Sequence, residues 1–374
     1  MPKGIRLLLA AGGTGGHLFP GIAVAQAAQR DTGAEVLFVG TPHGMEKDMV
    51  PRLGFALRLI SAEQLRGRRW WGVVQALWAA VRGVAAAWKV IREFAPDVIF
   101  SIGGYASAPT VLAGWIRRVP CVLLEPNAIP GLTNKLLGRL ATKICVGFPR
   151  TADFFPAHKA VCTGNPLRWD GVAPPVQEEA PAAVFTLFIF GGSAGARHLN
   201  QTLPPAVALL QPREPQSLRV IHQTGKADHA EVSAAYARSG IQADVVPFIE
   251  AMREMYLAAD LVVCRAGATT VAELASLGKP AVLIPYPYAV DDHQRANADV
   301  LVHAGAARMI LDAELTPERV CEELRALMTD RTRLTTMAHA AAALGQPNAT
   351  AAVVRECLAC LPPGSRPVQE VAWR

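Results

Sequence analysis

Aromatic and charged side chains are both scarce in this chain of 374 residues: 6% and 18%, against 51% hydrophobic. Such a composition excludes a disordered polymer and leaves ample apolar material for two cores. With few aromatics to stack on bases and no Arg/Lys repeat, no nucleic-acid partner is expected. No uncharged run reaches the roughly 18 residues that a spanning helix needs. Residues 1–6 are basic, but the apolar run after them breaks at Gly12 without a cleavage site, so no signal peptide is read. The seven cysteines are an odd number in apolar surroundings and read as reduced, buried thiols of a cytosolic protein. Cys357-x-x-Cys360 has no second pair, which makes it structural rather than a metal site. What charge there is sums to +6, favouring anionic partners such as phosphates or an acidic membrane surface.

The chain is organised around Leu7-Leu8-Leu9-Ala10-Ala11-Gly12-Gly13-Thr14-Gly15-Gly16-His17-Leu18. A short apolar run entering glycines and then an alanine-rich helical pattern reads as a buried parallel strand, a tight turn and a helix start. Glycines admit a ligand close to the backbone, and the free N–H groups of a helix start attract anions. His17 is the titrating side chain of that turn, suited to moving a proton near neutral pH. A dinucleotide fingerprint is excluded, because Leu18 occupies its third glycine and Gly40, not an acid, follows the second strand. A Walker loop is excluded because no Gly-Lys-Ser/Thr follows.

Up to about residue 149, short apolar runs at 6–10, 35–39, 98–102, 121–124 and 144–147 alternate with helical patterns at 17–30, 45–52, 71–94, 108–117 and 132–140. The pattern predicts an α/β fold with a doubly wound parallel sheet, whose ligands lie at the carboxyl ends of the strands. Those ends carry residues 12–17, Thr41 to Glu46, Gly103-Gly104-Tyr105-Ala106-Ser107 and Glu125-Pro126-Asn127. In between, Arg66, Arg68 and Arg69 precede Trp70 and Trp71, and a helical stretch continues through Trp78, Arg82 and Trp88. Four of the chain's seven tryptophans fall within these nineteen residues, beside arginines. That combination suits a membrane interface, and Trp70, Trp71 and Trp78 are the expected contacts.

Residues 170–182, rich in Pro, Glu and Ala, read as the linker, and the α/β rhythm then restarts. Gly191-Gly192-Ser193-Ala194-Gly195-Ala196-Arg197 is a second glycine turn between strand and helix, suited to a diphosphate. Cys264-Arg265-Ala266-Gly267-Ala268-Thr269-Thr270-Val271-Ala272-Glu273 opens another helix, with Glu273 expected in its first turn and fit to grip sugar hydroxyls. Asp291-Asp292-His293-Gln294 and Asn297 form a polar loop suited to a sugar. Residues 316–361 read as helical, and the last dozen as a loose tail.

In order and spacing, the motifs at 12–17, 103–107, 125–128, 164–168, 191–197 and 264–273 resemble the MurG family of peptidoglycan glycosyltransferases, over about residues 5–350. The resemblance implies the GT-B fold: two Rossmann-like, doubly wound parallel-sheet domains facing a deep cleft. It implies residues 1–165 as the acceptor- and membrane-binding domain and 166–345 as the UDP-GlcNAc-binding domain. Residues 346–374 would be a helix packing back on the first domain, followed by the tail. The implied reaction is inverting transfer of N-acetylglucosamine from UDP-GlcNAc to lipid I, giving lipid II. No cofactor and no metal are implied. The expected partners are the nucleotide sugar, undecaprenyl-linked lipid I, the anionic inner leaflet and other cell-wall synthesis proteins. The expected location is peripheral, on the cytoplasmic face of the bacterial inner membrane.

Carried onto this sequence, the resemblance sets Thr14, Gly15, Gly16, Asn127 and Gln294 near the donor sugar or diphosphate. Arg168 and Ser193 would serve the diphosphate or nucleotide, and Ile249 the uracil. Ala268, Thr269, Thr270, Val271, Ala272 and Glu273 would hold phosphate and ribose. Gly103, Gly104 and Tyr105 would lie on the acceptor side. His17 would be the base or would position the acceptor, with Glu125, Asp291 and Asp292 as competitors for the base. Pro126 stands where the family usually has Gln, and Thr269 where Leu is common. Two other readings keep the fold: a diacylglycerol glycosyltransferase and a UDP-sugar 2-epimerase. A membrane-docked nucleotide-sugar sensor is the non-enzymatic one.

Overall fold

The structure is a computed structural model that describes residues 4–13, 15–60, 70–104, 106–169, 184–192, 195–210 and 217–361. These fall into two compact units, 4–169 with 348–361, and 184–347.

The first unit holds β1 (Arg6–Ala11), α1 (Gly15–Thr32), β2 (Glu35–Gly40), α2 (Glu46–Arg52), β3 (Ala56–Leu59), α3 (Trp70–Phe94), β4 (Val98–Gly103) and α4 (Ser107–Ile116). It continues with β5 (Cys121–Glu125), α5 (Leu132–Leu137), β6 (Lys143–Val146) and β7 (Ala160–Cys162). Its sheet is parallel throughout, in the order β3-β2-β1-β4-β5-β6-β7. The leucine run of β1 shows why a parallel strand can be apolar at every position. Leu7 and Leu9 face Leu18 and Ile22 of α1, while Leu8 joins Ala87 and Ile91 of α3 and Val111 of α4 on the opposite face. Strand β3 is absent from the sequence reading. It is a four-residue edge strand with Leu59 exposed beside Arg58, so it carries no apolar period.

The second unit holds β8 (Val184–Phe190), α6 (Arg197–Leu210), β9 (Ser217–Gln223), α7 (His229–Arg238), β10 (Ala243–Val246), α8 (Met252–Ala258), β11 (Leu261–Cys264) and α9 (Ala268–Ser276). After these come β12 (Ala281–Leu283), α10 (His293–His303), β13 (Ala307–Met309), α11 (Pro317–Met328) and α12 (Arg331–Ala343). The strand order is β10-β9-β8-β11-β12-β13, again parallel. Phe185, Leu187 and Ile189 of β8 pack on Leu199 and Leu203 of α6 and Leu324 of α11. On the other face the rings of Phe188 and Phe190 meet Tyr256 of α8 edge-on, with centroids 5.6 and 5.8 Å apart. The last helix, α13 (Ala349–Ala359), belongs to the first unit: Val353, Val354 and Cys357 join α1 in its core.

The architecture is two Rossmann-like parallel sheets, as expected. One expectation about cysteine fails. Cys162 is exposed because β7 is an edge strand with no neighbour to cover it, and Cys360 is half-buried at the end of the last helix. Burial pushes the Cys121 thiol up to about 12, and it likewise raises those of Cys145, Cys264 and Cys357. These four are therefore held as neutral thiols. No helix among the described residues is long and apolar enough to cross a membrane.

Candidate active site

In each sheet the strand order reverses at one place, between β1 and β4 in the first and between β8 and β11 in the second. Crevices of this kind, at the carboxyl ends of the strands, bind ligands in doubly wound folds. The glycine turns lie at both.

In the first unit Gly12 and Gly13 leave β1, and α1 begins already at Gly15, so His17 sits in its first turn and not before it. The imidazole lies against the turn after β4. A β-carbon built on Gly103 would stand 3.5 Å from His17 Nε2, and one on Gly104 4.0 Å from Nδ1. Gly104, at φ +84°, would also drive a β-carbon to 2.5 Å from the carbonyl oxygen of Gly12, so no other residue fits there. Ser107 is consumed beneath this turn: its Oγ accepts from Gly103 N–H at 3.1 Å and donates to Gly103 O. Arg168 reaches the same neighbourhood, its guanidinium 4.1 Å from the centre of the Phe19 ring, and Phe19 in turn packs on Gly15. His17, Gly15, Gly103, Gly104 and Arg168 are thus brought together.

After β5 the chain folds back around Glu125, which is 2% exposed. Its Oε1 accepts from the backbone N–H of Asn127 at 3.0 Å and from Asn127 Nδ2 at 3.1 Å. Its Oε2 accepts from Gly131 N–H at 3.1 Å and Asn134 Nδ2 at 3.0 Å. Burial raises the Glu125 pKa above the usual carboxylate range, against the opposing pull of these four donors. With both oxygens engaged, Glu125 holds the half-exposed Asn127 in place and is not set to take a proton from a substrate.

The second unit repeats the pattern. Gly195, at φ +82°, lies so close to the carbonyl of Thr224 that a β-carbon would overlap it. That carbonyl also accepts from Asn200 Nδ2 at 2.8 Å, and Asn200 Oδ1 meets His222 Nε2 at 3.1 Å. Gln223 bridges two sides of the crevice: its Nε2 donates to Gly192 O at 3.0 Å, and its Oε1 accepts from Ile249 N–H at 2.9 Å. Helix α9 starts at Ala268 after an extended Gly267, leaving the first N–H groups without intrahelical partners. Thr269 is buried, and its Oγ1 meets no protein partner. Val271 is 1% exposed and packs inward, so its side chain contributes to the core. Glu273 falls in the second turn of α9 rather than the first, 1% exposed, with Oε2 accepting from Tyr256 Oη–H at 2.8 Å.

Around the polar loop, Arg265 donates to the carbonyls of Ile284 and Pro285 at 3.2 and 3.0 Å and pairs with Asp312. Asp312 also meets His198 Nδ1 at 2.9 Å. Burial works to raise the Asp312 pKa, but the hydrogen bonds from His198 and Arg265 and the Arg265 charge outweigh it and hold the carboxyl below its usual range. Gln294 Oε1 accepts from Tyr286 N–H at 3.0 Å. Asn297 is fully buried, donating to Ala266 O at 3.2 Å, so it ties α10 to the α9 turn instead of facing a sugar. Asp291 and Asp292 are exposed and both left-handed, at φ +53° and +51°.

Thr14, Tyr105 and Ser193 lie outside the described residues, as do the side chains of Trp70 and Trp71 and residues 66, 68 and 69. Gly16 and Trp78 are exposed, and Thr270 and Ala272 half-buried. Among the described residues no group of three or more His, Cys, Asp or Glu could hold a metal ion. Sequence reasoning left out the buried supports Asn134, Asn200, His222 and Gln223, and it gave Glu46 and Arg265, named within their motifs, no supporting role. The available signal was polar residues in otherwise apolar strand ends, such as His222-Gln223 closing the β9 run and Glu46 among Gly40 and Gly44.

The glycosyltransferase family 28 N-terminal domain matches residues 7–146, and the family 28 C-terminal domain matches residues 186–353. The chain belongs to glycosyltransferase family 28. A UDP-N-acetylglucosamine--N-acetylmuramyl-(pentapeptide) pyrophosphoryl-undecaprenol N-acetylglucosamine transferase of Geobacter metallireducens is 44% identical, over 95% of this chain and 98% of that one. The crystal structure of MurG from Acinetobacter baumannii superposes with a TM-score of 0.77 at 35% identity, covering 94% of this chain and 99% of that one. A UDP-N-acetylglucosamine 2-epimerase structure shares the fold alone, with a TM-score of 0.68 at 14% identity over 96% of each chain.

Proposed function

We propose that this family 28 enzyme transfers N-acetylglucosamine from UDP-GlcNAc to the muramoyl-pentapeptide of lipid I, giving lipid II for peptidoglycan. The observation that carries the reading is the imidazole of His17, set at the first sheet's switch point against Gly103 and Gly104. The first unit takes the acceptor. His17 accepts the proton of the acceptor's sugar hydroxyl as the oxygen attacks C1 of the donor sugar. The new C1–O bond forms on the face opposite the departing UDP, the old C1–O(P) bond breaks with its electron pair going to the diphosphate, and the anomeric configuration inverts. Asn127, oriented by Glu125, bonds the donor sugar, Thr14, Gly15 and Gly16 serve the donor sugar and diphosphate, and Arg168 serves the diphosphate or nucleotide.

The second unit holds the nucleotide. Ser193 and the N–H groups at the start of α9 take the diphosphate as its charge grows. Ile249 meets the uracil, Glu273 the ribose hydroxyls, and Gln294 the donor sugar. Positive side chains and amides supply this stabilisation, so no metal is assigned a task.

The enzyme works as a peripheral protein on the cytoplasmic face of the inner membrane. Trp78 and Val81 of α3 are 67% and 61% exposed, beside exposed Arg82. Helix α4 packs on α3 and ends in exposed Trp115 and Ile116, followed by Arg117 and Arg118. Apolar side chains among arginines suit an anionic leaflet, where the lipid-linked acceptor resides.

Transfer of radiolabel from UDP-GlcNAc to a lipid I analogue tests the reading, with His17→Ala beside the wild type. Wild-type transfer and a loss of about 10²–10⁴-fold in the variant, with UDP binding intact, are expected. UDP binding without transfer by the wild type would overturn the lipid I assignment. Epimerisation of UDP-GlcNAc in place of transfer would favour the epimerase.

A further inference from the structure

The mechanism above gives no task to Glu46, a carboxylate with no exposed surface at the first position of α2. Its two oxygens serve separate segments. Oε2 accepts from Gly13 N–H at 2.8 Å, and Oε1 accepts from Thr41 N–H at 2.7 Å and Thr41 Oγ1 at 3.1 Å. Gly12, Gly40 and Gly44 wall the carboxylate in, and a β-carbon on any of them would overlap its side chain. The glycines of the β1–α1 and β2–α2 turns thus make room for a buried acid as well as for a ligand. Burying a carboxylate is costly unless its oxygens are satisfied, and here backbone N–H groups satisfy them.

The peptide between Gly12 and Gly13 is consequently fixed from both ends. Its N–H points to Glu46, and its carbonyl oxygen packs against Gly104. One residue separates this peptide from Gly15, where the helix that carries His17 begins.

We infer that Glu46 is a positioning residue for sugar transfer: its carboxylate sets the Gly12–Gly13 peptide and, through it, the imidazole of His17 against Gly103 and Gly104. The inference rests on the reading of His17 as the base. It also reassigns the Gly13 N–H, which is turned inward to the protein and leaves any anion at this turn to the N–H groups opening α1.

Glu46→Gln tests this, because it keeps the shape but offers one acceptor oxygen where two backbone N–H groups on different segments need one each. Turnover is expected to fall about 10²-fold, the cost of a small misplacement of reacting groups. Calorimetric affinity for UDP should hold, while the melting temperature falls only by the few degrees that one unpaired buried N–H costs. In a His17→Ala background the same substitution should cost almost nothing further, since two residues acting as one unit are not additive. A full multiplicative loss in that background, an unchanged turnover, or a loss matched by weaker UDP binding would each overturn the proposal. Should the variant not fold, amide exchange in the wild type decides. Slow exchange at Gly13 is required, and exchange at the rate of an open loop would overturn the latch. That measurement needs no activity, so it stands apart from the failure of transfer that would overturn the functional reading.

Discussion

Asn127 donates twice to one oxygen of Glu125, from its backbone N–H at 3.0 Å and from its side-chain Nδ2 at 3.1 Å. The other oxygen takes Gly131 N–H and Asn134 Nδ2, so one buried carboxylate shapes the whole turn after β5. In the same sheet Glu46 does this for the turns after β1 and β2. The first crevice is therefore built on two buried acids that face away from solvent, with half-buried His17, Asn127 and Arg168 around it.

Replacing Glu125 by Gln leaves one acceptor oxygen for four N–H donors. Unfolding of the variant should come at lower denaturant by about 1–3 kcal/mol, the range for a buried donor left unpaired. Turnover should fall more than UDP affinity does, because Asn127 loses its orientation while the second unit is untouched. A steady-state comparison of kcat with UDP binding checks this. A rate that instead follows the titration of a base lost with Glu125 would return the proton-accepting role to it.

Much of this was legible because strand ends in a doubly wound fold announce themselves. The leucine run into Gly12 and the phenylalanine-rich run into Gly191 each mark a strand, a turn and a helix, and the sheets place them at the switch points. The supports were not legible, because their partners lie far off in sequence. Glu46 reaches back 33 residues to Gly13, and Asn200 reaches 24 residues on to Thr224. Edge strand β3 escaped for the opposite reason, since a strand that buries little shows no period. The turn position of Glu273 slipped because a helix start at Gly267 is set by backbone geometry, with no capping side chain to mark it.

The exposed pair Trp78 and Val81 gives a membrane prediction. The substitutions Trp78→Glu and Val81→Glu put like charge against an anionic surface and remove apolar insertion. Co-sedimentation with phosphatidylglycerol vesicles should drop sharply, while turnover on a short-chain, water-soluble acceptor stays at the wild-type level. Retained sedimentation would move membrane contact away from this end of α3.

His222 predicts a pH dependence of stability. It is fully buried between Tyr236 Oη at 3.0 Å and Asn200 Oδ1 at 3.1 Å, and burial lowers its pKa from 6.5 to about 3. Between those values the unfolded chain carries the proton and the folded one does not. The stability this histidine contributes is complete above the ordinary value and is lost as pH falls towards about 3. Urea unfolding of the wild type across pH 7 to 4 should show a contribution of about 1.4 kcal/mol per pH unit from this group. His222→Phe should be less stable at pH 7 and show a shallower slope.

Tyr256 and Glu273 give the sharpest test of the nucleotide site. Tyr256 is fully buried edge-on against the rings of Phe188 and Phe190, and its Oη–H donates to Glu273 Oε2 at 2.8 Å. The hydroxyl fixes a carboxylate that is itself 1% exposed, so the orientation of Glu273 is set before any ribose arrives. Tyr256→Phe keeps the ring packing and removes the bond to Glu273. A hydrogen bond to a charged group is worth about 1.5–3 kcal/mol, and part of this should appear as weaker nucleotide binding. Calorimetry should show UDP affinity lower by about tenfold, equivalent to 1.4 kcal/mol, while 2′-deoxy-UDP, lacking one of the hydroxyls in question, binds the variant and the wild type more nearly alike. If both nucleotides weaken equally, Tyr256 supports the fold of α9 and not the grip of Glu273 on the ribose.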